Sequence, residues 1–217
     1  MGAARVAVLI SGGGSNLEAL IRATKGGEAA GEIVLVLSNR ADAFGLERAR
    51  RHGIETRVIP HGDHPTRAAF DRALDEALTG AGVDIVCLAG FMRVLGQGFV
   101  ERWRNRLLNI HPSLLPALPG LRTHERALAA GARVHGCTVH LVRPTLDQGP
   151  ILVQGVVPVL PGDDPATLAG RVLELEHLCY PMALDLVASG AAVVDGEIVT
   201  APPGHRRLVL HELLAGG

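Results

Sequence analysis

The chain has 217 residues, 47% of them hydrophobic, and a formal charge of −1; that is enough chain for the core of one α/β domain and too little positive charge for a phosphate-neutralising nucleic-acid surface. The apolar runs, such as residues 33–37, are far shorter than a bilayer span, and the first residues give no signal-peptide pattern, so a cytoplasmic protein with no membrane partner is expected. Lys25 is the only lysine and no Gly-Lys-Ser/Thr occurs, so Schiff-base chemistry would have to use a Lys-Gly-Gly stretch that reads as a surface helix end, and a Walker A loop is excluded.

In chain order the pattern alternates strand and helix. Residues 6–10 are an apolar run ending in a glycine-rich loop, and 16–25 follow with helical spacing of Leu17, Leu20 and Ile21. Residues 33–37 read as a second strand, 45–51 as a short helix, and 56–59 as a strand stopped by Pro60. Residues 66–78 set Ala69, Phe70, Leu74 and Leu78 on one face with charges opposite, an amphipathic helix. A strand at 84–89, a helix at 96–102, a strand at 107–110 and a short helix at 124–130 come next. Residues 136–142 and 151–157 read as two strands joined by 143–150. Asp164-Pro165 starts a helix, with Asp as N-cap and Pro at the first helical position. That helix is predicted to run to Ser189, with Pro181 a candidate break, before two short strands at 192–194 and 197–199.

This alternation predicts a Rossmann-like α/β fold: a mostly parallel sheet with helices on both faces. The tighter strand spacing after residue 130 adds an antiparallel C-terminal extension. One domain over 1–217 is expected, its two halves meeting at about residues 105–106. Cys87, Cys137 and Cys179 are odd in number and widely spaced, which fits reduced, buried thiols and neither a disulfide frame nor a zinc site.

Two loops carry chemistry. The first is SGGGSN, residues 11–16. Glycines at the carboxyl end of a parallel strand let the backbone approach a ligand, and the following helix offers free N–H groups to an anion. A single phosphate on a small substrate fits better than a pyrophosphate, because Leu17 replaces the third glycine of a dinucleotide loop and Ser38-Asn39-Arg40 stands where a ribose-binding acid belongs. A tight turn with Ser15 or Asn16 as N-cap is the plain alternative. The second loop is NIHPSLLP, residues 109–116. An amide donor at Asn109 and an imidazole at His111, two residues apart on an extended chain, point to one face. Two donors aimed at one point suit a developing oxyanion in acyl transfer, and the prolines fix the loop behind them. Asp147, in LDQGP, would favour the charged imidazole of His111 and orient its ring. A core histidine beside a turn, and ordinary turn chemistry at Asp147, are the alternatives.

VLISGGGSNLEALI, SNRADAFGLERAR, LAGFMRVL, LLNIHPSLLPALPG, LDQGPILVQ and ELEHLCYP follow one another along nearly the whole chain. In this order they resemble the phosphoribosylglycinamide formyltransferase (GAR transformylase) family. The HPSLLP and Asp loops are shared with the wider formyltransferases, while the Ser-Gly-x-Gly-Ser-Asn loop points to the GAR branch. The resemblance implies that the amine of glycinamide ribonucleotide (GAR) attacks the formyl carbon of 10-formyltetrahydrofolate, the co-substrate, in de novo purine biosynthesis. It implies that about 1–105 form a phosphate- and ribonucleotide-binding half and about 106–217 a catalytic and folate-binding half, and that Gly14, Ser15 and Asn16, with Glu176, hold the ribonucleotide. Arg67, Met92, Arg93, Val94 and Leu95, with Asn109, would contact folate. Asn109 and His111 would hold the oxyanion, His111 giving the proton and Asp147 raising its pKa; no metal is implied. Gly13 departs from the Asn common in the phosphate loop, Ala117 from a Lys, and Thr145 and Gln148 from Glu and Gly. A methionyl-tRNA formyltransferase would carry a further C-terminal domain and a basic surface, and a formyltetrahydrofolate deformylase an N-terminal regulatory domain. A nucleotide-sensing module that had lost catalysis would be expected to break the set Asn109, His111, Asp147, which is intact.

Overall fold

The computed structural model describes residues 2–210. Five parallel strands build its centre: β1 (Arg5–Ile10), β2 (Glu32–Ser38), β3 (Glu55–Val58), β4 (Ile85–Leu88) and β5 (Leu107–His111). Next, β6 (Val134–Leu141) and β7 (Ile151–Pro158) add antiparallel to β5 and to each other. The eight-stranded order is β10-β7-β6-β5-β4-β1-β2-β3, where β10 (Leu208–Leu210) lies parallel to β7 at the edge. The expected fold class is the observed one.

The helices are α1 (Ser15–Gly26), α2 (Phe44–Arg51), α3 (Arg67–Gly80), α4 (Gln97–Arg102), α5 (Thr123–Ala129) and α6 (Pro165–Ala188). Strand alternation divides the core between them. Val6, Val8 and Ile10 of β1 join Leu17, Leu20 and Ile21 of α1, Leu46 of α2 and Leu175 and Leu184 of α6. Ala7 and Leu9 join Phe70, Leu74 and Leu78 of α3 and Phe99 and Val100 of α4. On β5, Leu108 and Ile110 belong to the first core and Leu107 to the second. Asn109 and His111 therefore share the face of Leu107.

Several expected boundaries move by one or two residues. Thr66 accepts from Ala69 N at 3.1 Å and so caps α3 instead of opening it. Asp164 caps α6 as expected, accepting from Thr167 N at 2.7 Å. That helix is assigned unbroken through Pro181, where the proline removes one intrahelical bond; the preceding Tyr180, fully buried, donates to the Leu88 and Leu108 carbonyls at 3.0 and 3.3 Å. The two short C-terminal strands, β8 (Val193–Asp195) and β9 (Ile198–Thr200), form a separate hairpin and do not extend the main sheet. A 3₁₀ turn at His61–Asp63 and the edge strand β10 were not expected.

Candidate active site

The chain passes from β1 through β2 to β3 on one side, then crosses to β4 on the other. The carboxyl ends of β1 and β4 thus flank a topological switch point, the usual ligand crevice of such sheets. The glycine loop lies there. Gly14 is the N-cap of α1, with φ 71° and no side-chain cap, so Ser15 and Asn16 are the first helical residues and neither is the cap. A Cβ on Gly14 would stand 2.7 Å from the Gly45 Cα, and at that φ only glycine is unstrained. Gly12 and Gly13 face open space. Asn16, buried, donates from Nδ2 to Glu176 Oε2 at 2.7 Å, and its Oδ1 has no partner among the described residues. Burial pushes the Glu176 carboxyl up, opposed by the Asn16 amide. A cavity of about 490 Å³ flanks this turn, lined by Ser15, Glu18, Arg22, Arg48 and His177 among others.

Beyond β4 the chain runs out through Met92, Arg93 and Val94, all exposed. Leu95 is 9% exposed and its side chain packs in the α3–α4 core. Arg67, exposed on the first turn of α3, lies beside this segment, its Nε 3.6 Å from where a Cβ on Gly96 would be. Asp71 fixes the segment by accepting from Gly96 N at 2.8 Å. Ser11 joins the two regions: its Oγ accepts from Met92 N at 2.8 Å and donates to Asn39 Oδ1 at 2.6 Å.

The third group stands at the end of β5. His111 Nδ1 lies 3.5 Å from Asp147 Oδ2, both side chains buried, and its Nε2 lies 3.0 Å from the Leu118 carbonyl oxygen. Asp147 adopts φ 55°, a left-handed conformation that Asp tolerates better than most residues, and accepts from Gly120 N at 2.8 Å. Asn109 Nδ2 sits 3.3 Å from His140 Nε2, its register partner on β6. The Nδ1 of His140 lies 3.1 Å from the Leu141 carbonyl oxygen, which can only accept. Nδ1 therefore carries the proton of a neutral ring, and Nε2 accepts from Asn109. Burial, the largest influence, keeps the His140 pKa below the usual value, consistent with that neutral ring. One amide N–H of Asn109 is thereby used, and the other has no acceptor among the described residues.

The loop after His111 is pinned from below. Thr138 Oγ1 donates to the Ser113 carbonyl at 2.7 Å and accepts from Leu115 N at 3.0 Å, while Gln154 Nε2 donates to the Leu115 carbonyl at 2.9 Å. Ala117, Thr145 and Gln148, the departures around these loops, are all exposed. A cavity of about 630 Å³ borders Asp147, lined by Leu115, Pro116, Ile151 and Val199 among others; Arg67, Met92, Arg93, Val94 and Leu95 do not line it.

Each expected group is thus gathered in space: Gly14, Ser15, Asn16 and Glu176; Arg67 and residues 92–95; Asn109, His111 and Asp147. Sequence reasoning missed Ser11, Thr138 and His140. Only the β5–β6 register places His140 opposite Asn109, and no local pattern carries that information.

The sequence pattern of the family described as formyl transferase matches residues 4–184. The chain belongs to the formyl transferase family. The chain is 46% identical over 199 residues to the phosphoribosylglycinamide formyltransferase of Escherichia coli (strain K12), covering 88% of this chain and 94% of that one. It is 53% identical over 190 residues to the trifunctional purine biosynthetic protein adenosine-3 of Gallus gallus, covering 88% of this chain and only 19% of the longer relative. The crystal structure of glycinamide ribonucleotide transformylase 1 from Symbiobacterium toebii superposes on it with a TM-score of 0.89 at 48% identity, covering 91% of this chain and 93% of that one.

Proposed function

We propose that this chain is a phosphoribosylglycinamide formyltransferase of purine biosynthesis, moving the formyl group of 10-formyltetrahydrofolate to the amine of GAR. The observation that carries the reading is the Asn109–His140–Asp147–His111 cluster at the carboxyl end of β5, on the same sheet edge as the glycine loop. The phosphate of GAR sits at the first turn of α1, and Asn16 Oδ1 and the Glu176 carboxylate are left to accept from its ribose hydroxyls. Folate lies along residues 92–95 with Arg67 at its anionic end. These contacts fall before residue 105 in the chain and the catalytic trio after it, so the folate site draws on both halves of a single domain.

The GAR amine attacks the formyl carbon, forming a C–N bond and a tetrahedral oxyanion. The free amide N–H of Asn109 and the Nε2 proton of His111 hold that oxygen, which takes the place of the Leu118 carbonyl at the imidazole. Asp147, with Oδ2 3.5 Å from Nδ1, fixes the ring. Collapse breaks the bond to the folate nitrogen; the attacking amine loses a proton, the folate nitrogen takes one up, and tetrahydrofolate leaves. The same reading makes GAR and folate the partners, in the cytoplasm.

The test is a steady-state assay with both substrates. Tetrahydrofolate release that requires GAR, and that falls by about 10²-fold or more in Asn109→Ala, is the expected result. Release without GAR would make the protein a deformylase, and binding of nucleotide with no turnover a sensing module.

A further inference from the structure

Helix α2 clasps the glycine loop from one side. Gly45 N donates to the Gly12 carbonyl at 3.0 Å, Arg48 Nε donates to the Gly13 carbonyl at 2.9 Å, and Glu18 N donates to the Gly14 carbonyl at 3.0 Å. All three loop carbonyls are thus engaged. A trans peptide points its N–H opposite its C=O. With the Gly12 and Gly13 carbonyls drawn toward α2, the N–H groups of Gly13 and Gly14 must point away from it. Among the described residues these amides have no protein acceptor, nor do those of Ser15 and Asn16 in the first turn of α1.

The Arg48 side chain is held in place to do this. Its guanidinium carbon lies 5.1 Å from the Phe44 ring centroid. Its Nη1 is 3.7 Å from Glu18 Oε2, so its charge already faces a carboxylate. That balance argues against a direct clamp on an anion and for a role through the Gly13 carbonyl.

We propose that Arg48 is a positioning residue for the phosphate of the nucleotide substrate: by taking the Gly13 carbonyl it fixes the loop with its amides turned toward the anion. The inference rests on the reading of the glycine loop given under the proposed function. Without Arg48 the Gly13–Gly14 peptide is free to rotate and to present its carbonyl oxygen to the phosphate.

The experiment compares wild type with Arg48→Met and Arg48→Lys. Arg48→Met is expected to raise the KM for GAR, and the Ki of inorganic phosphate as a competitor of GAR, in parallel by about tenfold or more, the worth of one charge-assisted hydrogen bond. The turnover number and the KM for 10-formyltetrahydrofolate should stay within about twofold. Arg48→Lys, which keeps a donor, should recover part of the loss. Unchanged GAR and phosphate constants would overturn the proposal, as would equal losses for both substrates with a lowered melting temperature, the mark of a merely structural arginine. Calorimetric titration of inorganic phosphate into wild type and Arg48→Met needs no turnover. A phosphate affinity lost in the variant therefore supports the role of Arg48 even if GAR-dependent turnover fails and the proposed function is abandoned; equal affinities in both overturn it.

Discussion

At His111 both ring nitrogens face protein acceptors, the Asp147 carboxylate at 3.5 Å and the Leu118 carbonyl oxygen at 3.0 Å. Asp147 and His111 should therefore work as a unit. Asp147→Asn keeps the shape and removes the charge, and should lower kcat by about 10²-fold with little change in either KM, since the pair acts chiefly in the transition state. In a double-mutant cycle, His111→Ala on top of Asp147→Asn should add little; additive losses would separate the two residues. The glycine loop makes a second residue-scale prediction. Gly14→Ala strains a φ of 71° and drives a Cβ against Gly45 at 2.7 Å, so it should destabilise the fold by about 1–3 kcal/mol and tells little about binding. Gly13→Val places its side chain in open space. It should leave the melting temperature alone and raise the KM for GAR about tenfold by blocking approach to the loop amides. Equal melting temperatures with an unchanged KM would remove the phosphate from this loop.

At the scale of elements, the HPSLLP loop hangs on β6 and β7. The buried hydroxyl of Thr138 serves the Ser113 carbonyl, the Leu115 amide and the Gln154 amide at once. Thr138→Val leaves those groups short of a partner and should cost about 1–3 kcal/mol, read as a lower urea midpoint, together with a lower kcat as His111 loses its fixed surroundings. A midpoint equal to wild type would show that the prolines alone hold the loop. The elements readable from sequence were those with a strong local signal: β1 and β2 as apolar runs, α3 by its stripe, α6 by Asp164-Pro165. The 3-residue β10 lacks one, since its place is set by the distant partner β7 and by Arg207 donating to the Ile151, Leu152 and Val199 carbonyls. The site divides the same way. Asn109, His111 and Asp147 announce themselves as polar residues in fixed local company. His140 does not, because its role comes from cross-strand register.

Across the whole molecule, the first core carries α1, α2 and α6 and the second α3 and α4, so the carboxyl edge of one sheet holds all three groups of site residues. Folding also traps histidines. Burial, with His124 and His111 adding to it, pushes His135 down to about 4 from 6.5, and its ring packs against His124 with centroids 5.1 Å apart. Between these two values the unfolded chain binds a proton that the folded chain refuses. Stability present at pH 7 is therefore lost as pH falls through that window. Urea midpoints should drop between pH 7 and pH 5 by the equivalent of about 1–2 kcal/mol, and the drop should shrink in His135→Asn; a drop of unaltered size would assign the effect to other groups. The most direct test of the account as a whole follows the formyl group itself. Purified protein is given GAR and 10-formyltetrahydrofolate carrying an isotopic label on the formyl carbon, and the products are separated. Label recovered on the GAR amine, with one tetrahydrofolate released per labelled GAR and none when GAR is left out, is the predicted result. Label recovered as formate, or remaining on folate with GAR unmodified, would contradict it.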